Sequence, residues 1–246
     1  MLKDDLVRQG DWLFRWRGCV PLLMLPVVVL GFMESNYYGG AEGIYGEAWK
    51  ALCFIVALSG LAIRVLVVGR APSGTSGRIT KHQKASRLNT TGLYSLCRNP
   101  LYLGNFFMNF GVLLFLNSIF VLAIFTLFFW LYYERIILRE EDFLEGKFGD
   151  EYRAWVGRTP VFIPRFSRWI SPDLPFSWRT VLRREYTGLF AVVAALTAME
   201  LAGGLLTEGK LSLGVNWRAV FAFGLAAYLI LRSLKKYTRL LHEPGR

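Results

Sequence analysis

The chain has 246 residues, 54% of them hydrophobic, with 29 Lys and Arg against 18 Asp and Glu. A mean hydropathy of +0.35 and uninterrupted apolar runs exclude an ordinary soluble domain, because crossing a bilayer takes about 20 apolar residues in a row. The net charge of +11 is not a nucleic-acid footprint, since no aromatic-interleaved basic module accompanies it.

The N-terminal residues carry Asp4, Asp5 and Asp11 ahead of the first apolar run, and no small-residue cleavage pattern follows it. That run, 18–33, therefore reads as a retained span rather than a cleaved signal. It is short and contains Pro21 and Pro26, which leaves a tilted or re-entrant first helix open. A second run covers 49–69. The third, 101–138, is too long for one crossing and is interrupted at Leu116-Asn117-Ser118, whose polar side chains suit a reversing chain. It reads as a helical hairpin. Runs at 188–206 and 214–231 complete about six transmembrane helices, five if the first is re-entrant. The expected fold class is an all-α integral membrane protein. Its segments are 1–70 with two helices, 71–166 with the hairpin and the polar motifs, and 167–246. In the last, Trp169, Pro172, Pro175 and Trp178 form an interfacial stretch before two final helices. Cys19, Cys53 and Cys97, odd in number and far apart, form no disulfide framework and read as small buried hydrophobes.

Lys and Arg collect in residues 1–17, 70–98 and 135–184 and in the tail from Arg232; only Lys50, Arg64, Lys210 and Arg218 stand elsewhere. Six crossings bring all four stretches to one face, the cytoplasmic one by the positive-inside rule, where anionic lipid head groups are the expected partner. Short loops and the absence of a eukaryotic targeting signal suit a bacterial inner membrane. Two ionisable residues fall inside the predicted spans. For Arg64, snorkelling to the interface and facing a polar site are equally open; Glu200 lines a cavity or pairs between helices.

The chemistry-bearing residues lie between 92 and 152. Pro100 suits the first turn of a helix, and the free amides there, with Arg98 beside them, suit an anionic group. Gly104 and Gly111 on that helix admit the close approach of a neighbouring helix or a ligand. At the other end of the hairpin Glu140 and Glu141 emerge at membrane-surface level. A hairpin returns to the side it left, so Arg98 and the acidic pair lie near the same surface. This mixture suits a sulfonium cofactor with a carboxylate, an ammonium and ribose hydroxyls. No metal-ligand cluster occurs, and His82 reads as a solvated loop residue.

The composite Gly92-x-Tyr94, Arg98-Asn99-Pro100-x-Tyr102-x-Gly104, Glu140-Glu141-x-x-Leu144, Phe148-Gly149-x-x-Tyr152 and Ile163-Pro164, in that order around a hairpin, resembles the isoprenylcysteine carboxyl methyltransferase and phospholipid methyltransferase superfamily. The resemblance covers roughly residues 60–166. It implies an integral membrane enzyme that takes a methyl group from S-adenosylmethionine and passes it to a lipid or lipidated acceptor entering from the bilayer. It also implies that Tyr94, Arg98, Asn99, Pro100, Tyr102, Gly104, Glu140 and Glu141 line the cofactor site, and that Leu144, Phe148 and Tyr152 pack a lid helix. Arg139 would orient the acceptor, and Glu141 would be the base for an amine. The family usually has His where this chain has Asn99; Asn keeps its hydrogen bonds but does not titrate, so a positioning role survives and a base role does not. The rival expectations are an NADPH-dependent membrane reductase of the related sterol-reductase type and a non-enzymatic scaffold or transporter. The acceptor group (carboxylate, amine or phosphate) is left open.

Overall fold

The computed structural model describes residues 2–16, 18–37, 44–72, 85–211, 213–243 and 245; most of the Gly/Ser connector at 72–77, and His82, lie outside them. The helices are α1 (Leu2–Arg15), α2 (Leu25–Tyr37), α3 (Ile44–Val68), α4 (Leu93–Leu96), α5 (Pro100–Leu114), α6 (Ile119–Phe148), α7 (Asp150–Val156), α8 (Trp178–Glu208) and α9 (Val215–Tyr237). No strand occurs among the described residues. The protein is all-α, with six apolar helices among the described residues. Four are long and apolar enough to cross a membrane, over Gly46–Val68, Ile119–Phe148, Trp178–Leu206 and Val215–Tyr237, while α2 and α5 are shorter. The first apolar run is the weakest span. Its Pro21 falls in a 3-10 turn, Val20–Met24, and the helix that follows has 13 residues.

The hairpin turns where the polar tripeptide falls. Asn117 takes a left-handed conformation at φ 49, and Ser118 caps α6 by accepting a 3.3 Å hydrogen bond from the Val121 amide. The Ser118 hydroxyl also donates to Glu34 at the end of α2. With 30 residues α6 runs about 45 Å, longer than the roughly 30 Å hydrocarbon layer, so its last turns stand clear of the apolar region.

Inside a bilayer, helices associate through close packing of small residues rather than through hydrophobic burial. The α3–α5 contact follows this rule, with Cys53, Ala57 and Gly60 of α3 spaced to meet Gly104 and Gly111 of α5. A Cβ on Gly60 would run into the Gly104 carbonyl and lie 2.5 Å from the Met108 amide nitrogen; one on Gly111 would meet the Ala57 amide and lie 2.7 Å from the Cys53 carbonyl. Phe106 of α5 stacks on Phe125 of α6 at 5.7 Å, closing the hairpin with aromatic area.

The bases of α3, α5, α6, α8 and α9 converge at one end of the bundle. Gly69 accepts a 2.8 Å hydrogen bond from the Ser177 amide, and Glu243, beyond α9, accepts from the Ser177 hydroxyl. At the same end α1 lies along the protruding part of α6, where Gln9 accepts from Arg135 at 2.9 Å and Asp11 pairs with Arg139. The described parts of the four basic stretches therefore share one end. Cys53 and Cys97 are buried, but Cys19, in the link before the 3-10 turn, is exposed, so the expectation of three buried cysteines is corrected for that residue.

Candidate active site

The start of α5 is shaped by a folded loop rather than by a capping side chain. Gly92 sits at φ 63 and ψ −135, a region only glycine enters without strain, and turns the chain into α4. The segment after α7 is laced along this loop. The Arg98 amide donates to the Pro160 carbonyl at 2.8 Å, the Arg165 amide to Leu96 at 3.0 Å, and the Gly92 amide to Ile170 at 2.9 Å. Asn99 occupies the position before Pro100 without capping the helix; its side-chain amide donates instead to the Val161 carbonyl at 3.1 Å. The start of α5 is thus left without a side-chain cap from Asn99, at the positive end of a 15-residue helix.

The protruding end of α6 brings its carboxylates to this point. Arg98 Nη1 lies 3.0 Å from Glu141 Oε1, with the side chains 11% and 23% exposed. One residue earlier on α6, Glu140 accepts a 2.7 Å hydrogen bond from the Tyr102 hydroxyl. A cavity of about 260 Å³ opens beside the Arg98–Glu141 pair, bounded by Leu138, Glu145, Tyr152 and Arg153 among others. Gly149, at φ 53, turns α6 sharply into α7. This folds Tyr152 and Trp155 back onto Leu88, with Tyr94, Leu144 and Phe148 packed around them. The Trp155 indole donates to the Tyr94 carbonyl at 3.2 Å.

Of the residues singled out in the sequence, Arg98 and Glu141 share the cavity wall, and Tyr102 and Glu140 form a second pair alongside. Pro100 is fully buried at the helix start, and Asn99 ties the loop to it. Gly104 belongs to the α3 contact and not to the cavity: a Cβ there would lie 2.6 Å from Arg64 Cγ and 2.8 Å from the Gly60 carbonyl. The Arg139 guanidinium is held by Asp11 of α1, with Nη1 3.9 Å from cavity-lining Asp142; Arg139 itself is not among the residues that bound the cavity. Arg64 does not snorkel: it forks onto Glu185 of α8 with two 2.8 Å hydrogen bonds. Glu200 is an interhelical partner, 2.9 Å from Lys50.

Arg98 Nε is buried with no hydrogen-bond partner among the described residues, a donor left for a ligand. With the uncapped start of α5 it suits a carboxylate, while Glu140 and Glu141 suit an ammonium or hydroxyls. Residues 52–151, the stretch that builds this arrangement, match the phospholipid methyltransferase family model. Over those residues the chain is similar to phospholipid methyltransferases and to isoprenylcysteine O-methyltransferases.

The chain is 32% identical over 143 residues to the protein-S-isoprenylcysteine O-methyltransferase of Schizosaccharomyces pombe, covering 58% of this chain and 56% of the relative. It is also 37% identical over 154 residues to the nickel-cobalt-cadmium resistance protein NccN of Alcaligenes xylosoxydans xylosoxydans, covering 62% of this chain and 64% of that protein. Identity to the cobalt-zinc-cadmium resistance protein CzcN of Cupriavidus metallidurans is 36% over 143 residues, covering 57% and 62%. The chain spans less than two thirds of the length of each of these relatives. No solved structure matches it.

Around this cavity, burial and then the charge of Glu140 push the Tyr94 phenol up, and burial and then Glu141 do the same to Tyr152, so both stay protonated donors. Burial pushes the Cys97 thiol to about 11. Cys97 is expected to resist maleimide at pH 8 while the fold is intact and to react after denaturation, with mass spectrometry as the readout. Because its pKa is higher folded than unfolded, the stability it contributes is complete below pH 9 and is lost as pH rises towards 11. Three residues of the arrangement escaped the sequence reading: Glu185, Asn105 and Trp155. For Glu185 the available signal was Arg64 itself, an intramembrane cation that needs an anion.

Proposed function

We propose that this chain transfers a methyl group from S-adenosylmethionine to a lipidic acceptor in the bilayer, at the end of the α5–α6 hairpin. The observation that carries the reading is the meeting of Arg98 and Glu141 at the open start of α5, beside a cavity. The sulfonium cofactor would supply an electrophilic methyl group, attacked in line by the acceptor while the neutral thioether of S-adenosylhomocysteine leaves. The protein's part is alignment and the exclusion of water. Arg98 and the uncapped start of α5 hold a carboxylate. Glu140, braced by Tyr102, and Glu141 hold the cationic and hydroxyl groups. The folded-back α7, with Tyr152 and Trp155, covers them. A carboxylate or phosphate acceptor needs no base; an amine must arrive unprotonated, with Glu141 the nearest carboxylate. Arg139 we assign to fixing α1 on α6 rather than to the acceptor, and Gly104 to helix packing. We place the protein in the bacterial inner membrane with the site end cytoplasmic, on the strength of the basic residues gathered there.

Calorimetry on the full chain in micelles tests the cofactor: S-adenosylhomocysteine binds and NADPH does not. Binding of NADPH alone would overturn the reading in favour of a reductase. Membranes incubated with methyl-labelled S-adenosylmethionine then reveal the acceptor by the lipid or peptide fraction that carries the label. Two bacterial relatives are named for resistance to nickel, cobalt, zinc and cadmium, so the labelling is repeated after growth with those ions.

A further inference from the structure

The α3–α8 contact carries two ion pairs at opposite ends of antiparallel helices, and they are built differently. Lys50–Glu200 is a simple staple, joined by Glu47 at 3.4 Å on the lysine side. Arg64–Glu185 sits 14 residues further along α3, about 21 Å away, and is nearly closed to solvent, with side chains 15% and 4% exposed. Glu185 takes two nitrogens of the Arg64 fork, Nε and Nη2, at 2.8 Å each. The third, Nη1, is aimed at Asn105 Oδ1 on α5 at 2.7 Å. Asn105 then donates to the Tyr133 hydroxyl at 3.3 Å, and the Tyr133 ring packs on Tyr102 with centroids 4.6 Å apart. The Tyr102 hydroxyl donates to Glu140. An unbroken path therefore runs from α8, outside the matched residues 52–151, to a carboxylate of the proposed cofactor site. Docking two helices needs no third partner for the arginine. The missing Cβ of Gly104, where the Arg64 stem passes, makes room for the side chain to reach Asn105.

We infer that Glu185 is a positioning residue for the cofactor site: by fixing two nitrogens of Arg64 it points the third at Asn105, and through Tyr133 and Tyr102 it sets the direction of Glu140. A guanidinium has one planar set of donors, so anchoring one edge determines where the other points. The inference rests on the methyl-donor reading.

The test measures S-adenosylhomocysteine affinity and thermal midpoint on the full chain in micelles. Glu185→Gln is expected to weaken binding about tenfold, and Glu185→Asp, which keeps the charge, to stay within about threefold of the parent. Glu200→Gln breaks the other staple between the same helices and is expected to leave affinity unchanged. Since removing one member of a buried pair can cost the fold, the decisive variant is the double replacement Arg64→Met with Glu185→Leu, for which stability is expected to recover. In that variant the thermal midpoint returns and the tenfold loss of affinity persists. Parent-like affinity in the double variant, or affinity that follows the thermal midpoint through every variant including Glu200→Gln, overturns the positioning role and leaves a structural staple. Failure of the parent chain to bind overturns the methyl-donor reading itself, and this inference with it.

Discussion

Arg98→Ala is expected to abolish S-adenosylhomocysteine binding and methyl transfer, a loss of about a hundredfold or more, through two separate effects. The first is the loss of a cationic donor beside the uncapped start of α5, where a charge-assisted bond to a ligand carboxylate is strongest. The second is left behind in the protein. Glu141 is only 23% exposed, and without Arg98 its carboxylate shares the cavity wall with Glu145 and Asp142 with its cation removed. Stripping the partner from such a pair costs about 3 kcal/mol when it is largely buried. Glu141 is then expected to take up a proton or to swing out of the cavity, so ligand contacts on both sides are lost together. Arg98→Lys separates the effects. It keeps the charge but not the planar fork and is expected to retain partial affinity. Calorimetry of both variants, with labelled-methyl incorporation into extracted lipid, decides the matter; unchanged binding in Arg98→Ala would remove Arg98 from the site.

Gly60→Val is expected to destroy the folded protein, with a destabilisation of about 4 kcal/mol or more and loss of a monodisperse peak in micelles. A Cβ at this position meets backbone, the Gly104 carbonyl and the Met108 amide, so no side-chain rotation relieves it. The helices must move apart, and the Cys53, Ala57 and Gly111 contacts open with them. The counterpart is Gly146→Ala in the protruding part of α6, where a Cβ meets nothing within 4 Å. There alanine is expected to stabilise by up to about 1 kcal/mol, through helix propensity alone. Opposite signs for two changes at helical glycines, read as thermal shifts, separate packing from propensity. Stability of Gly60→Val near that of the parent would sink the packing account.

Much of this was legible because the governing physics is local. The interruption at Leu116-Asn117-Ser118 is a turn because a lone left-handed Asn and a capping Ser are properties of three adjacent residues. That Arg98 and Glu141 lie near one surface followed from hairpin topology; their 3.0 Å contact did not. What was not legible depended on pairing across the chain. The predicted fifth span began at residue 188, whereas α8 begins at Trp178, because Arg179, Arg183, Arg184 and Glu185 depress the local hydropathy. Glu185 is tolerated there only because Arg64, 121 residues earlier, meets it. Gly104 was open to a helix or a ligand, and nothing local to it could choose. Arg139 is a different case. Two residues along a helix rotate about 200°, so a neighbour of Glu141 in sequence is nearly opposite it on the helix surface, and α1 is what lies there.

The shortness of α5 has a consequence for how an acceptor meets the site. Its 15 residues rise about 22 Å from the Asn117 turn, some 8 Å less than the thickness of the hydrocarbon layer. If the turn, with its Ser118–Glu34 contact, marks one membrane surface, then the start of α5 stops below the other. Arg98 then lies beneath the head groups and not above them. On the proposed methyl-transfer reading, a lipid acceptor that diffuses sideways to this point keeps its tails in oil while its reactive end comes level with the pocket. The protein would then bring the polar chemistry down to the lipid, and no lipid would have to be lifted out of the bilayer.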